Sequence, residues 1–381
     1  MRHQTYHWHL ASLLLLSLSF LTSCRSEPST SEQEAALEGM PGVQGRPGGK
    51  DDPNPIPVFL DPQDADKIHA RFAQLVLQRH PPGTTNVKRA VFLKPHACLK
   101  AKFSVEEDVP EALKVGLFAT PKPYDAWVRI SSDTVPSTPD QAKSTIGFSI
   151  KVLDVPGKKV LPEAVDALTH DFLLQNHDVF FVDTAKDFME FTEAIFTQKF
   201  AEYLSQHPRT GQILDEMKKP IGNVLSTGFG STTPYAYGSS HFVKYALRPC
   251  QERPAEQPSS EPNYLRQRLI RDLKEGEACF HFMIQLRQGN DTEMPLDQAT
   301  VLWKEDQSPM VRVATLQIPK QELPPQDVVC EDYSFTAWHA LPEHQPVGSI
   351  NEARGIVYSR MSKDRRTRNN KPIVEPKSEF H

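Results

Sequence analysis

The chain has 381 residues, 38% apolar and 24% charged, the balance of a water-soluble globular protein. Its 43 Lys and Arg against 48 Asp and Glu give a formal charge of −5, so it lacks the basic surplus of a nucleic-acid binder. The length allows one large domain or two ordinary ones, and 33 prolines against 18 glycines describe a loop-rich chain of normal complexity.

Residues 1–23 carry one charge, Arg2, ahead of an apolar run from Leu10 to Leu21. That run is shorter than the ~20 residues a bilayer-spanning helix needs, and with its basic start it has the pattern of a secretory signal. Leu21-Thr22-Ser23-Cys24 resembles a bacterial lipobox. It predicts cleavage before Cys24, lipidation of that cysteine, and an exported protein anchored to a bacterial membrane and facing the periplasm; the alternative is an ordinary signal peptide with an incidental cysteine. Residues 24–57 are rich in Ser, Glu, Gly and Pro and poor in aromatics, so they are expected to form a flexible tether. The other four cysteines, Cys98, Cys250, Cys279 and Cys330, allow three disulfide pairings in an exported chain, or remain as thiols. No C-x-x-C, H-E-x-x-H, G-x-G-x-x-G or Walker sequence is present to indicate a zinc or nucleotide site.

Eight segments have strand character: Ala97–Val105, Ala126–Ser131, Thr145–Leu153, Asp171–Val182, Phe242–Leu247, Ala278–Leu286, Ala299–Trp303 and Met310–Ile318. Several neighbours are joined by connections too short for crossover helices, which favours an antiparallel sheet closed into a barrel. Between them, Asp183–Gln206 sets Phe188, Phe191, Ile195, Phe196, Phe200 and Leu204 at helical spacing, a stripe read as core packing. Gly228-Phe229-Gly230 reads as a turn, and Tyr264–Lys274 as a second helix. Ser349-Ile350-Asn351-Glu352 has the form of a capping box and predicts a helix running to about Arg368. The class is α+β.

This helix carries the sharpest chemical signal. Arg354 and Tyr358 stand four apart and share a face, and Met361 and Arg365 continue it about 10 Å further along. A phenol, with an ordinary pKa of about 10, binds iron poorly at neutral pH, and a neighbouring guanidinium favours the phenolate. Phenolate is one of the known axial ligands of heme iron.

Arg354-x-x-x-Tyr358 with Arg365 resembles the proximal helix of the heme catalases. Four earlier segments resemble that family in the same order: Pro95-His96-Ala97 with Lys100-Ala101-Lys102-Phe103, Val128-Arg129-Ile130-Ser131, Gly147-Phe148-Ser149-Ile150-Lys151, and Gln175-Asn176-His177-Asp178-Val179-Phe180-Phe181. Leu113–Phe118, Val311–Leu316 and Trp338–His344 look like the small catalase-related proteins. The resemblance implies an antiparallel β-barrel heme-binding core with flanking and C-terminal helices over residues 58–370, followed by a tail over 371–381. It implies heme b with Tyr358 as iron ligand tuned by Arg354, and Arg129 and Arg365 on the propionates. It also implies His96 as distal base oriented by Ser131, Asn176 as distal amide, and Phe181 as a distal aromatic. The chain departs from the family at Ala97 and Cys98, where glycines are usual, at Leu93, where an arginine precedes the distal histidine by three, and at Ser362 and His177-Asp178.

The function so implied is heme-dependent breakdown of peroxide, catalase-like or with a small organic donor. An allene oxide synthase-like isomerase of fatty-acid hydroperoxides and a non-catalytic heme-binding lipoprotein are the alternatives. A homo-oligomer is left open, and no nucleic-acid partner is expected.

Overall fold

The computed structural model describes residues 56–251, 256–323, 328–372 and 375–376. The signal segment, Cys24 and nearly all of the tether lie outside the described residues.

The first element is a helix absent from the expected set, α1 (Pro62–Arg79). Asp61 caps it by accepting from Gln63 N, and Pro62 supplies the favoured first-turn φ. Four strands follow: β1 (Lys94–Val105), β2 (Pro123–Ser132), β3 (Ile146–Leu153) and β4 (Thr169–Gln175). The expected strand at Asp171–Val182 thus begins earlier and ends at Gln175. The long helical stripe is divided into α2 (Ala185–Phe196) and α3 (Phe200–Gln206), followed by α4 (Pro208–Met217). At the break Gln198 has φ 61°, and the Thr197 hydroxyl donates to the Glu193 carbonyl. Ile195 is 49% exposed, so the stripe is core only in part.

The chain continues through β5 (Phe229–Gly230), β6 (Tyr235–Tyr237), β7 (His241–Pro249), α5 (Tyr264–Glu275), β8 (Ala278–Leu286), β9 (Met310–Ile318), α6 (Val328–Asp332) and α7 (Ser349–Arg368). Phe229–Gly230, expected as a turn, is the strand that closes the sheet: it pairs with both β4 and β7. The result is a ring of eight antiparallel strands, with β6 attached to β7. Ala299–Trp303 is not a strand; it runs as a loop whose Ala299 carbonyl accepts from Phe180 N.

Strand alternation sorts the barrel's two faces. Val128, Ile130, Phe148, Ile150, Phe172 and Leu174 point inward and are almost fully buried. Phe103, Phe172 and Phe282 fill the interior with ring centroids 4.6–5.8 Å apart. The outward residues of β2, β3 and β4 are also largely buried, because α7 and the loops pack over them.

The capping box at α7 does not form. Gly348, at φ 89°, is the cap residue. The Ser349 hydroxyl donates to Asp297 and accepts from Ala185 N, which ties α7 to the start of α2. Glu352 accepts from the amides of Phe59 and Leu60 instead, tying α7 to the segment before α1. Ala353 and Val357 pack with Ala65, Ile68 and Ala185, so α7 lies between the α1–α2 layer and the barrel.

The four cysteines pair as Cys98–Cys330 and Cys250–Cys279. The first bond pins α6 to the outer face of β1, opposite Arg129 of β2.

Candidate functional site

Register assembles the site. On the outer face of β2, β3 and β4, Ser131, Gly147 and Gln175 stand in one row, Arg129, Ser149 and Leu173 in the next, and Trp127, Lys151 and Asp171 in a third. Successive rows are roughly 6.6 Å apart. A cavity of about 870 Å³ lies between this face and α7, within the range of about 300–1,000 Å³ typical of ligand pockets. Tyr358, Arg354, Val357, Met361 and Arg365 line it from α7.

The Arg354 guanidinium donates to Thr233 Oγ1 and Asn351 Oδ1 and lies 5.3 Å over the Phe180 ring. It is one turn from Tyr358, whose half-buried ring packs in the α1–α7 cluster. The Tyr235 hydroxyl, buried without a partner, has its pKa pushed up to about 12 by burial, with Arg354 pulling the other way and Tyr358 adding to the rise.

At the other end of the cavity the arginines gather. Arg129 donates to Ser131 Oγ (2.6 Å), to the Phe92 carbonyl (2.9 Å) and to Glu331 (3.0 Å). Arg365 donates to the Glu331 and Tyr333 carbonyls, and Arg89 to those of Cys330 and Tyr333. Burial alone would raise the Glu331 pKa, but Arg89 and Arg129 outweigh it and hold it at about 2. Burial lowers Arg365 to about 10. Across this end, Arg89, Arg129, Arg365, Arg366, Lys151 and Lys371 face the carboxylates of Glu331, Glu375, Asp171 and Asp332, a surplus of two positive charges. The Nε atoms of Arg89, Arg129 and Arg366 are buried without a hydrogen-bond partner, that of Arg89 lying 3.7 Å from Glu331. The arrangement suits a ligand with an apolar body and anionic groups at one end.

Three residues expected in the site are placed elsewhere. His96 is the extra residue of a bulge in β1: Pro95 pairs with Ser131 and Ala97 with Ile130. The bulge puts its Nε2 2.6 Å from the hydroxyl of Ser132, not Ser131, and away from the cavity, and Ser131 accepts from Arg129 instead. Asn176 spends its amide on Ile146 N and the Met217 carbonyl, outside the cavity. Phe181 packs with Phe188 and Phe191 among the helices. The barrel-side wall carries Phe92 and Gln175 instead. Phe92 lies against Gly147, where a Cβ would come within 2.9 Å of its ring, and the Gln175 Oε1 is buried without a partner. Arg89 stands three residues before Phe92, the same separation at which Leu93 precedes His96. The signal for Gln175 was present in the sequence: it shares its outward phase with Arg129, Ser131 and Gly147, whereas Asn176 is one residue out of step. His339 is the one histidine lining the cavity among the described residues, and its Nδ1 lies 3.0 Å from Asp171. No group of His, Cys, Asp and Glu among the described residues could hold a free metal ion, and no described helix is long and apolar enough to cross a membrane.

No family model and no curated protein matches the chain. Solved structures do. A fungal catalase superposes with a TM-score of 0.59 at 18% identity, over 86% of this chain and 66% of its own length. A bacterial catalase gives 0.58 at 16%, over 92% and 73%. Catalase A from Saccharomyces cerevisiae gives 0.58 at 18%, over 86% and 68%. The chain thus spans just under two thirds of the fungal enzyme. An eight-stranded antiparallel barrel, seven helices among the described residues and these superpositions make the fold that of the catalases.

Proposed function

We propose that the cavity holds heme and that the protein breaks down peroxides with it, organic hydroperoxides ahead of hydrogen peroxide. One observation carries the reading: Tyr358 and an arginine cluster with two uncompensated positive charges line the same largely apolar cavity. A porphyrin carrying two propionates fits such a donor set, and the Nε atoms of Arg89 and Arg129, which make no hydrogen bond, add donors at that end. Tyr358 would ligate iron, and Arg354 would supply a positive charge one turn away. Arg89, Arg129 and Arg365 would hold the propionates. When bound, heme supplies the redox centre at which a peroxide O–O bond is cleaved.

The rest depends on the chain's own side chains. Gln175 offers an amide to a peroxide oxygen without titrating. Phe92 keeps its surroundings apolar, and Val165 and Leu168, 37% and 47% exposed, give the cavity an apolar mouth suited to a hydrocarbon-bearing substrate. A positioned base contributes about 10²–10⁴-fold to proton transfer. His96 stands outside the cavity and His339 is engaged by Asp171, so disproportionation of hydrogen peroxide should be slow.

Hemin titration followed by absorption spectroscopy tests the reading. The chain should bind hemin with a tyrosinate-type spectrum and Tyr358→Phe should lose that spectrum. The loaded protein should consume cumene hydroperoxide faster than it evolves oxygen from hydrogen peroxide. A chain that refuses hemin refutes it. Export and lipid attachment at Cys24 belong to the same proposal, and Cys24→Ser should abolish incorporation of labelled palmitate.

A further inference from the structure

Beyond the Tyr358 wall and the Glu331-centred arginines, the third row of the barrel face holds a second polar cluster. Lys151 is completely buried, with its Nζ 2.7 Å from Asp171 Oδ1 and 2.5 Å from Glu375 Oε2. Glu375 lies beyond α7 in the chain, yet its carboxylate has a full set of partners drawn from distant segments. The Thr169 and Ser334 hydroxyls donate to it at 3.1 Å, His339 Nδ1 lies 3.6 Å away, and Arg366 Nη2 lies 3.9 Å away. Asp171 by itself balances Lys151 and also accepts from Thr336 N and bonds His339. Glu375 is the nearest carboxylate to Arg366, which is 2% exposed with its Nε lacking a hydrogen-bond partner, and Asp332 and Asp171 add weaker attraction. His339, Thr336, Ser334, Arg366 and Glu375 all line the cavity.

We propose that Lys151, Thr169, Ser334 and Arg366 form a carboxylate-binding subsite of the cavity, in which Glu375 stands in for the carboxylate of a bound ligand. Barrel strands β3 and β4, α7 and the loop before it build the subsite, and among the described residues Glu375 is its only contribution from outside that frame. A buried cationic site of this kind must hold an anion, because desolvated charge without a partner is costly. Burial opposes ionisation of Glu375, and Lys151 and then His339 overcome it and hold the carboxyl well below its ordinary range. A ligand carboxylate and Glu375 therefore compete for one place. Two sources share the chemistry: an organic acid with an apolar tail, and a propionate of heme.

The test uses the full chain, Glu375→Gln, and a chain ending at Lys371. The probes are laurate against dodecanol, and hemin against its dimethyl ester, followed by calorimetry. Laurate affinity should rise about tenfold or more in both variants while dodecanol changes little, which assigns the subsite to an organic acid. A rise for hemin but not its ester, with laurate unchanged, assigns it to a propionate. Equal gains for acid and alcohol, or for hemin and its ester, show that only space was opened, and overturn the proposal; unchanged affinities do the same. If a variant melts below the wild type, laurate or hemin should restore the melting temperature by mass action, and a defect that no carboxylate repairs also refutes it. The laurate arm needs no heme, so failure of the heme reading leaves it standing.

Discussion

His96 gives the sharpest test because two readings of it predict opposite results. Its ring is almost fully buried beside Ser132, and burial pushes its pKa down from 6.5 to about 4, with Asp140 opposing and Lys94 adding to the fall. The unfolded chain takes up this proton near 6.5, and the folded chain resists it until about 4. Stability from the neutral buried ring is therefore complete above 6.5 and is lost as pH falls towards 4. At about 1.4 kcal/mol per pH unit the gap amounts to about 3 kcal/mol. Urea unfolding of the wild type and His96→Gln, near pH 7 and again near pH 4, measures it. The wild type should lose about 3 kcal/mol more than the variant. His344, lowered by burial to about 3, titrates in both proteins and cancels from the comparison. Peroxide turnover of heme-loaded His96→Gln should stay within a few-fold of wild type. Equal acid sensitivity in the two proteins would refute the burial argument, and a hundredfold loss of turnover would return His96 to the cavity as its base.

Other consequences follow from the same packing. Cys330→Ser opens a cross-link spanning 232 residues and should cost about 3–5 kcal/mol by melting. It also frees the Cys330–Tyr333 carbonyls that hold Arg89 and Arg365, so hemin should bind more weakly, as it should in reduced wild type. Glu331, held at about 2 against 4.5, stabilises the fold above 4.5 and loses that contribution as pH falls towards 2. Glu331→Gln should lose about 2–3 kcal/mol at neutral pH and show a flatter acid limb; an unchanged limb would count against the arginine cluster. Gly355→Ala puts a Cβ 2.8 Å from the Trp338 indole, which its bond to the Asn351 carbonyl keeps in place. Overpacking of about 1–3 kcal/mol should exceed the helical gain of about 1 kcal/mol and lower the melting temperature.

The helix bearing Arg354, Tyr358 and Arg365 was legible because helical spacing is local: residues four apart share a face whatever surrounds them. Most strands were legible for the same reason, since alternation needs only a few neighbours. Barrel closure was less so. β5 is two residues long, and only its pairing with β4 and β7 makes it a strand. The capping pattern at Ser349 was present, but Asp297, Ala185, Phe59 and Leu60 took its partners.

The far side of the site depended on register. One extra residue in β1 moves His96 from the row of Ser131 to the hydroxyl of Ser132, and one step in β4 separates Gln175 in the cavity from Asn176 outside it. A strand's side-chain period is two, so a shift of one residue exchanges its faces. The bulge leaves no local trace that composition or spacing could reveal, whereas the step in β4 leaves only the alternation that puts Gln175 in phase with Leu173. The cysteine pairing and the visit of Glu375 to Lys151 join residues 232 and 224 apart, and only the closed barrel brings them together.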